Sequence, residues 1–116
     1  MFEIIFYRAE NGNVPIEDFL NSLEPKMRVK AVNSLRLLEE FGNQLREPHS
    51  KAIGDGLFEL RIRFSSDITR IFYFFYIGNR IVLTNGFVKK SQKTPRSELE
   101  LARKYMDDFL RRNKHE

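Results

Sequence analysis

The spacing of apolar positions changes along the chain, and the changes divide it into elements. Residues 2 to 7 (FEIIFY) are aromatic and β-branched, which predicts an opening strand. Asn11-Gly12-Asn13 follows as a turn, and Pro15 with Glu17 and Asp18 behind it marks a short helix through Leu20. From Pro25 the period is helical again: Met27, Ala31, Leu35 and Leu38, flanked by Val32 and Phe41, share one face, and Gly42 supplies the stop. Residues 43 to 56, with Pro48, Gly54, Asp55 and Gly56, read as a loop. Three β-rich runs come next, Leu57 to Phe64, Ile68 to Ile77 and Arg80 to Val88, separated by Ser65-Ser66-Asp67 and Gly78-Asn79. Such short linkers join adjacent antiparallel strands, since a parallel crossover needs about a dozen residues. Thr94-Pro95 then offers an N-cap and a first-turn proline for a last helix, whose period of Leu99, Ala102, Met106 and Phe109 runs to Arg112.

The predicted order is β-α-α-β-β-β-α: an α+β domain over residues 1–116, with a mostly antiparallel sheet and helices packed on one face. In the first meander strand Phe58, Leu60, Ile62 and Phe64 alternate with Leu57, Glu59, Arg61 and Arg63, so one face is apolar and Arg61 and Arg63 point together from the other. The next run is apolar on both sides, which marks a central strand and isolates Arg70 among hydrophobic neighbours. A register that brings Arg70 onto the Arg61 side would make three guanidinium groups converge. Parity alone does not fix that register.

Composition narrows the chemistry. The 41% hydrophobic and 31% charged content, with eleven Phe and no Trp, is that of a globular chain. Without cysteine there is no disulfide framework, thiolate metal site or thiol nucleophile. No apolar run approaches the ~18–20 residues of a membrane span and the start carries no basic leader, so a cytoplasmic protein is expected. The net charge of +4 is unevenly distributed: residues 1–56 carry 7 Lys/Arg against 9 Asp/Glu, residues 57–96 carry 8 against 2, and residues 97–116 carry 5 against 5. A basic zone on an otherwise balanced chain is either a solvated surface or the footprint of a polyanion.

The sharpest local feature is Phe87-Val88-Lys89-Lys90-Ser91-Gln92-Lys93-Thr94-Pro95-Arg96, where cations crowd the start of a helix whose free N–H groups attract phosphate. Cleaving RNA requires a base for the 2′-hydroxyl proton, cations for the phosphorane and an acid for the leaving 5′-oxygen; in principle no metal is needed. The two histidines, His49 in the loop and His115 at the end, make a paired-histidine nuclease improbable, and His49 is read as a surface residue. A lysine among cations can carry the proton, whereas arginine stays charged and clamps phosphate. Lys89 or Lys90 is therefore the proton carrier, Arg61 and Arg70 the transition-state clamps, and Arg63, Lys93 and Arg96 hold the RNA strand. Asp67 reads as a turn former and Tyr73 and Tyr76 as core, while Tyr105 could reach core or sheet. No Gly-rich phosphate loop, HExxH, GxSxG or metal-spaced carboxylate cluster is present, so no cofactor is expected.

Gly56-Leu57-Phe58-Glu59-Leu60-Arg61, Thr69-Arg70-Ile71-Phe72-Tyr73-Phe74 and Asn85-Gly86-Phe87-Val88-Lys89-Lys90-Ser91-Gln92-Lys93-Thr94-Pro95 together resemble the phage-related, HigB-like members of the RelE/ParE toxin superfamily. The element order agrees over nearly the whole chain, and the specific part lies in residues 56–102. The resemblance implies the toxin of a type II toxin–antitoxin pair, a metal-independent endoribonuclease that cuts messenger RNA, typically in the ribosomal A site. Its partner would be a HigA-like helix-turn-helix antitoxin, through which alone it would meet operator DNA. Arg61, Arg70, Lys89, Lys90 and Lys93 would line the RNA-cleaving concavity. Many relatives have histidine where this chain has Asn85, and asparagine carries no proton, which gives weight to the lysines. The same fold also serves ParE-like poisons of DNA gyrase. A non-catalytic nucleic-acid-binding module is a third reading, against which stands the lack of an exposed aromatic stacking signature.

Overall fold

The computed structural model of the chain describes residues 1–89 and 94–114. Its elements run β1 (Glu3–Phe6), α1 (Pro15–Ser22), α2 (Pro25–Phe41), β2 (Ser50–Gly54), β3 (Leu57–Phe64), β4 (Asp67–Tyr76), β5 (Arg80–Lys89) and α3 (Arg96–Arg112), with a 3₁₀ turn at Gly42–Gln44. The α+β class and the order of predicted elements are as expected. Strand β2 is an addition, lying inside the segment read as a loop. Asp55 and Gly56 have φ of 54° and 86°, the double positive φ that a two-residue hairpin needs, and they fold Ser50–Gly54 back onto β3. The strand itself, SKAIG, is too short and mixed to announce itself by alternation.

The sheet order is β1-β5-β4-β3-β2, with β2 to β5 antiparallel and β1 added parallel to β5. The layering is finer than an expectation of helices on one face. Leu60, Ile62, Ile71, Tyr73, Ile81 and Leu83 meet Ile16 of α1 and Met27, Ala31 and Leu38 of α2. The alternate residues Leu57, Phe72, Phe74 and Val82 meet Ala102, Leu99, Met106 and Phe109 of α3. Helix α3 closes over the second face because β4 is apolar on both sides. With Ile71, Phe72, Tyr73 and Phe74 all at most 1% exposed, and about 1.5–3 kcal/mol for each large apolar side chain fully buried, β4 is a rigid platform for whatever it carries.

One irregularity decides which way β5 points. Ile71 faces Gly86 and Tyr73 faces Leu83, so Thr84 and Asn85 together oppose Phe72 in a β-bulge. The extra residue reverses the alternation beyond it. Phe87 and Lys89 thereby come onto the α3 face, opposite Arg70 and Ile68, instead of the face of Ile81 and Leu83. Gly86 beside the bulge must be glycine, since a Cβ there would lie 2.6 Å from the Phe19 ring and 2.9 Å from the Arg70 carbonyl oxygen. Helix α1 thus packs directly behind Arg70.

Candidate functional site

The β3–β4 register places Arg61 opposite Arg70, and in the next row Arg63 opposite Ile68, which in turn faces Lys89. Neighbouring strands lie about 4.8 Å apart, so Arg61, Arg63, Arg70 and Lys89 occupy one patch across three strands on the α3 face. The convergence that sequence parity left open for Arg61, Arg63 and Arg70 is therefore present.

Glu59, two residues before Arg61 on the same strand face and 1% exposed, organises this patch. Arg61 Nε donates to Glu59 Oε1 at 2.8 Å and Arg70 Nη1 donates to the same oxygen at 3.0 Å. Thr94 Oγ1 donates to Glu59 Oε2 at 2.7 Å and accepts from Arg70 Nη1 at 2.9 Å. Both oxygens of the buried carboxylate are thus engaged by charge-assisted or hydroxyl hydrogen bonds. Arg61 also lies 3.9 Å from the exposed Glu47. The arrangement explains where α3 starts. Thr94 was expected to cap the helix, but its hydroxyl is turned to Glu59 and Arg70; the residue before α3 is Pro95, which gives no side-chain cap.

Arg70 is wholly buried, which differs from the open clamp expected of it. It sits on the central strand with α1 behind it and the Thr94 segment in front, and that depth is what requires a carboxylate. A single partner lost from such a buried pair costs about 3–5 kcal/mol. Arg61 retains 16% side-chain exposure and is the guanidinium of the pair that reaches the surface. Arg63 is exposed and Lys89 half-buried, and among the described residues neither has a carboxylate partner. Arg96 is exposed at the first turn of α3 and pairs with Glu100 at 2.9 Å. Lys90, Lys93 and His115 lie outside the described residues.

Other groups weighed in the sequence are engaged elsewhere. Asn85 is buried, its Nδ2 donating to the Glu98 carbonyl of α3 at 3.3 Å, while its Oδ1 meets no donor among the described residues. Tyr73 bonds the Ser50 hydroxyl, and burial pushes its phenol above the ordinary value. Tyr76 donates to the Asn113 carbonyl at 2.9 Å. Tyr105 stacks on Tyr7 with ring centroids 4.7 Å apart. Among the described residues no group of three His, Cys, Asp or Glu side chains is placed to hold a metal ion, and no helix is long and apolar enough to cross a membrane.

A second charged cluster ties β1 to the end of α3. Tyr7 donates its hydroxyl to Asp108 Oδ2 at 2.6 Å, and Arg112 lies 2.8 Å from the same carboxylate, which Arg111 also contacts. Arg111 further pairs with Glu10 at 3.2 Å. Burial, reinforced by the Asp108 carboxylate, pushes the Tyr7 phenol up to about 12, while the hydrogen bonds from Tyr7 and Arg112 hold the Asp108 carboxyl below its ordinary value.

Sequence reasoning missed Glu59 and Thr94 as parts of the site. The signal for Glu59 was present: a carboxylate two residues from Arg61 on a strand otherwise lined by Leu57 and apolar neighbours can only be buried with a cation. For Thr94 no local signal existed, because its partners are 24 and 35 residues away. Compared with protein families, residues 18–107 match the family described as "Phage derived protein Gp49-like (DUF891)". The matched span contains every described residue of the Glu59 cluster. Among curated proteins no match was found.

Proposed function

The chain belongs to the phage-derived Gp49-like family, a RelE-like toxin family, and from that premise we propose that it is a toxin that cuts messenger RNA and is held silent by an antitoxin. The observation that carries this reading is the Arg61–Glu59–Arg70 cluster with Arg63 and Lys89 beside it: one buried carboxylate fixes two guanidinium groups and leaves the surrounding surface positive. In the reaction the 2′-oxygen attacks phosphorus, the bond to the 5′-oxygen breaks, and the products are a 2′,3′-cyclic phosphate and a 5′-hydroxyl. Negative charge grows on the non-bridging oxygens, where a preorganised guanidinium is worth most. Arg61 takes that role. Arg70 acts through Glu59 as a positioning residue that holds Arg61 in one orientation. Lys89 and, from the sequence, Lys90 are the groups for proton transfer, and Arg63 with Lys93 and Arg96 tracks the strand. Cleavage in the ribosomal A site and a HigA-like helix-turn-helix antitoxin, both met in the cytoplasm, complete the proposal.

The test adds the purified chain to a translating extract and maps new RNA 5′ ends. New ends that need translating ribosomes and disappear with Arg61→Ala, while folding is unchanged by circular dichroism, support the reading. Intact messages accompanied by gyrase-cleaved DNA would replace it with a ParE-like activity.

A further inference from the structure

Strand β2 pairs with β3 only as far as Ser50 opposite Leu60, and the last bond across the pair runs from the Arg61 N–H to the His49 carbonyl at 2.8 Å. Beyond this bond residues 62–64 of β3 have no strand partner on that side among the described residues. Because alternate N–H groups of a strand point the same way, the Arg63 N–H faces outward from this edge. Between the edge and α2 lies a cleft of about 320 Å³ whose polar lining is Lys30, Asn33, Ser34, His49, Arg61 and Arg63, with no carboxylate among its lining residues. Lys30 is held toward it, its Nζ 5.7 Å from the centre of the Phe64 ring, and among the described residues neither Lys30 nor Arg63 has a carboxylate partner. Three cations, of which Arg61 is also paired with Glu59 and lies near Glu47, line one trough together with amide and hydroxyl groups and an outward backbone N–H. Arg61 is common to this trough and to the Glu59 cluster.

We infer that the α2–β3 cleft binds the sugar–phosphate backbone of single-stranded RNA, continuing the track of the strand away from the Arg61 centre. The inference rests on the RNA-cutting reading for its choice of ligand. Continuity through Arg61 favours RNA over an acidic polypeptide, which would find the same charges but no reason to lie beside the Glu59 cluster.

The experiment measures binding of a fluorescent, fully 2′-O-methylated RNA 12-mer, which cannot be cleaved, by anisotropy at several salt concentrations. Lys30→Ala combined with Arg63→Ala should weaken binding about tenfold and lower the slope of log K against log salt by about 1.4, the value for two phosphate contacts on a single strand. Lys104→Ala, on α3 and outside the lining of the cleft, should change neither. A double variant that binds like the wild type while cleavage persists overturns the cleft and leaves the nuclease reading standing. Cleft-dependent binding without any cleavage of translated messages does the reverse. Displacement of the 12-mer by an oligoglutamate of equal charge as readily as by unlabelled RNA would assign the cleft to an acidic peptide and overturn the inference.

Discussion

The molecule holds two carboxylates by arginines and hydroxyls, and the two sites differ in what is left over. At Asp108 the partners are Tyr7, Arg111 and Arg112, with Glu10 drawing on Arg111. Two carboxylates there meet two guanidinium groups, and the cluster is a staple between the first strand and the last helix. At Glu59 the buried carboxylate meets Arg61 and Arg70 and the exposed Glu47 lies 3.9 Å from Arg61, while Arg63 and Lys89 on the same face find no acid among the described residues. Balanced charge at a partly exposed corner does structural work. Cations in excess around a buried anchor leave a positive field on that face among the described residues.

The strongest way to break this contrast is Glu59→Ala. With Arg70 buried and deprived of its carboxylate, stability should fall by about 3–5 kcal/mol, read from the urea midpoint, and Glu59→Ala with Arg70→Met should recover most of that loss. If Glu59→Ala were neutral, the cluster would not anchor the sheet. Next in size, Arg61→Ala should lower cleavage about 10²–10³-fold, as expected for removing one preorganised donor, with about 1.5–3 kcal/mol lost from stability because one hydrogen bond to the buried Glu59 carboxylate goes while Arg70 and Thr94 keep theirs. Equal loss of fold and activity would merge the two roles that the geometry separates.

At the Tyr7 staple the expected effects are smaller and purely structural. Tyr7→Phe should cost about 1–1.5 kcal/mol and leave cleavage unchanged. The pH dependence follows from the same contacts. The Asp108 carboxyl is held below its ordinary 3.8 in the folded protein. Its contribution is therefore complete above that value and is lost as acid carries the pH down through the lower folded value. Tyr7 works in the opposite sense: its phenol is raised from 10 to about 12, so its contribution is complete below 10 and disappears as pH rises through 12. Urea midpoints followed at both extremes should show these two losses in the wild type, only the alkaline one in Asp108→Asn, and only the acid one, reduced, in Tyr7→Phe. Persistence of the alkaline loss in Tyr7→Phe would remove Tyr7 as its source.

Much of this could be read along the chain. The helices α1, α2 and α3 and the strands β1, β3, β4 and β5 follow from period, proline and turn chemistry, because each element's own side chains carry the pattern that buries it. The same alternation placed Arg61 with Arg63 and singled out Arg70 on the central strand. Strand β2 was hidden because it is held by the Asp55-Gly56 hairpin and by backbone bonds to β3, not by an apolar face of its own.

What the linear pattern could not decide were questions of depth and register. Parity does not fix which residues of two strands face each other, so the meeting of Arg61 with Arg70 depended on the Ser65-Ser66 hairpin, and the turn of Lys89 onto their face depended on one bulged residue in β5. Nor does a sequence tell a surface arginine from a buried one. That Arg70 lies beneath the surface and Arg61 at it results from α1 and the Thr94 segment closing over the middle of the sheet while its edge stays open. Local periodicity specifies which side chains must leave water. Only the packed whole specifies which charges must go with them.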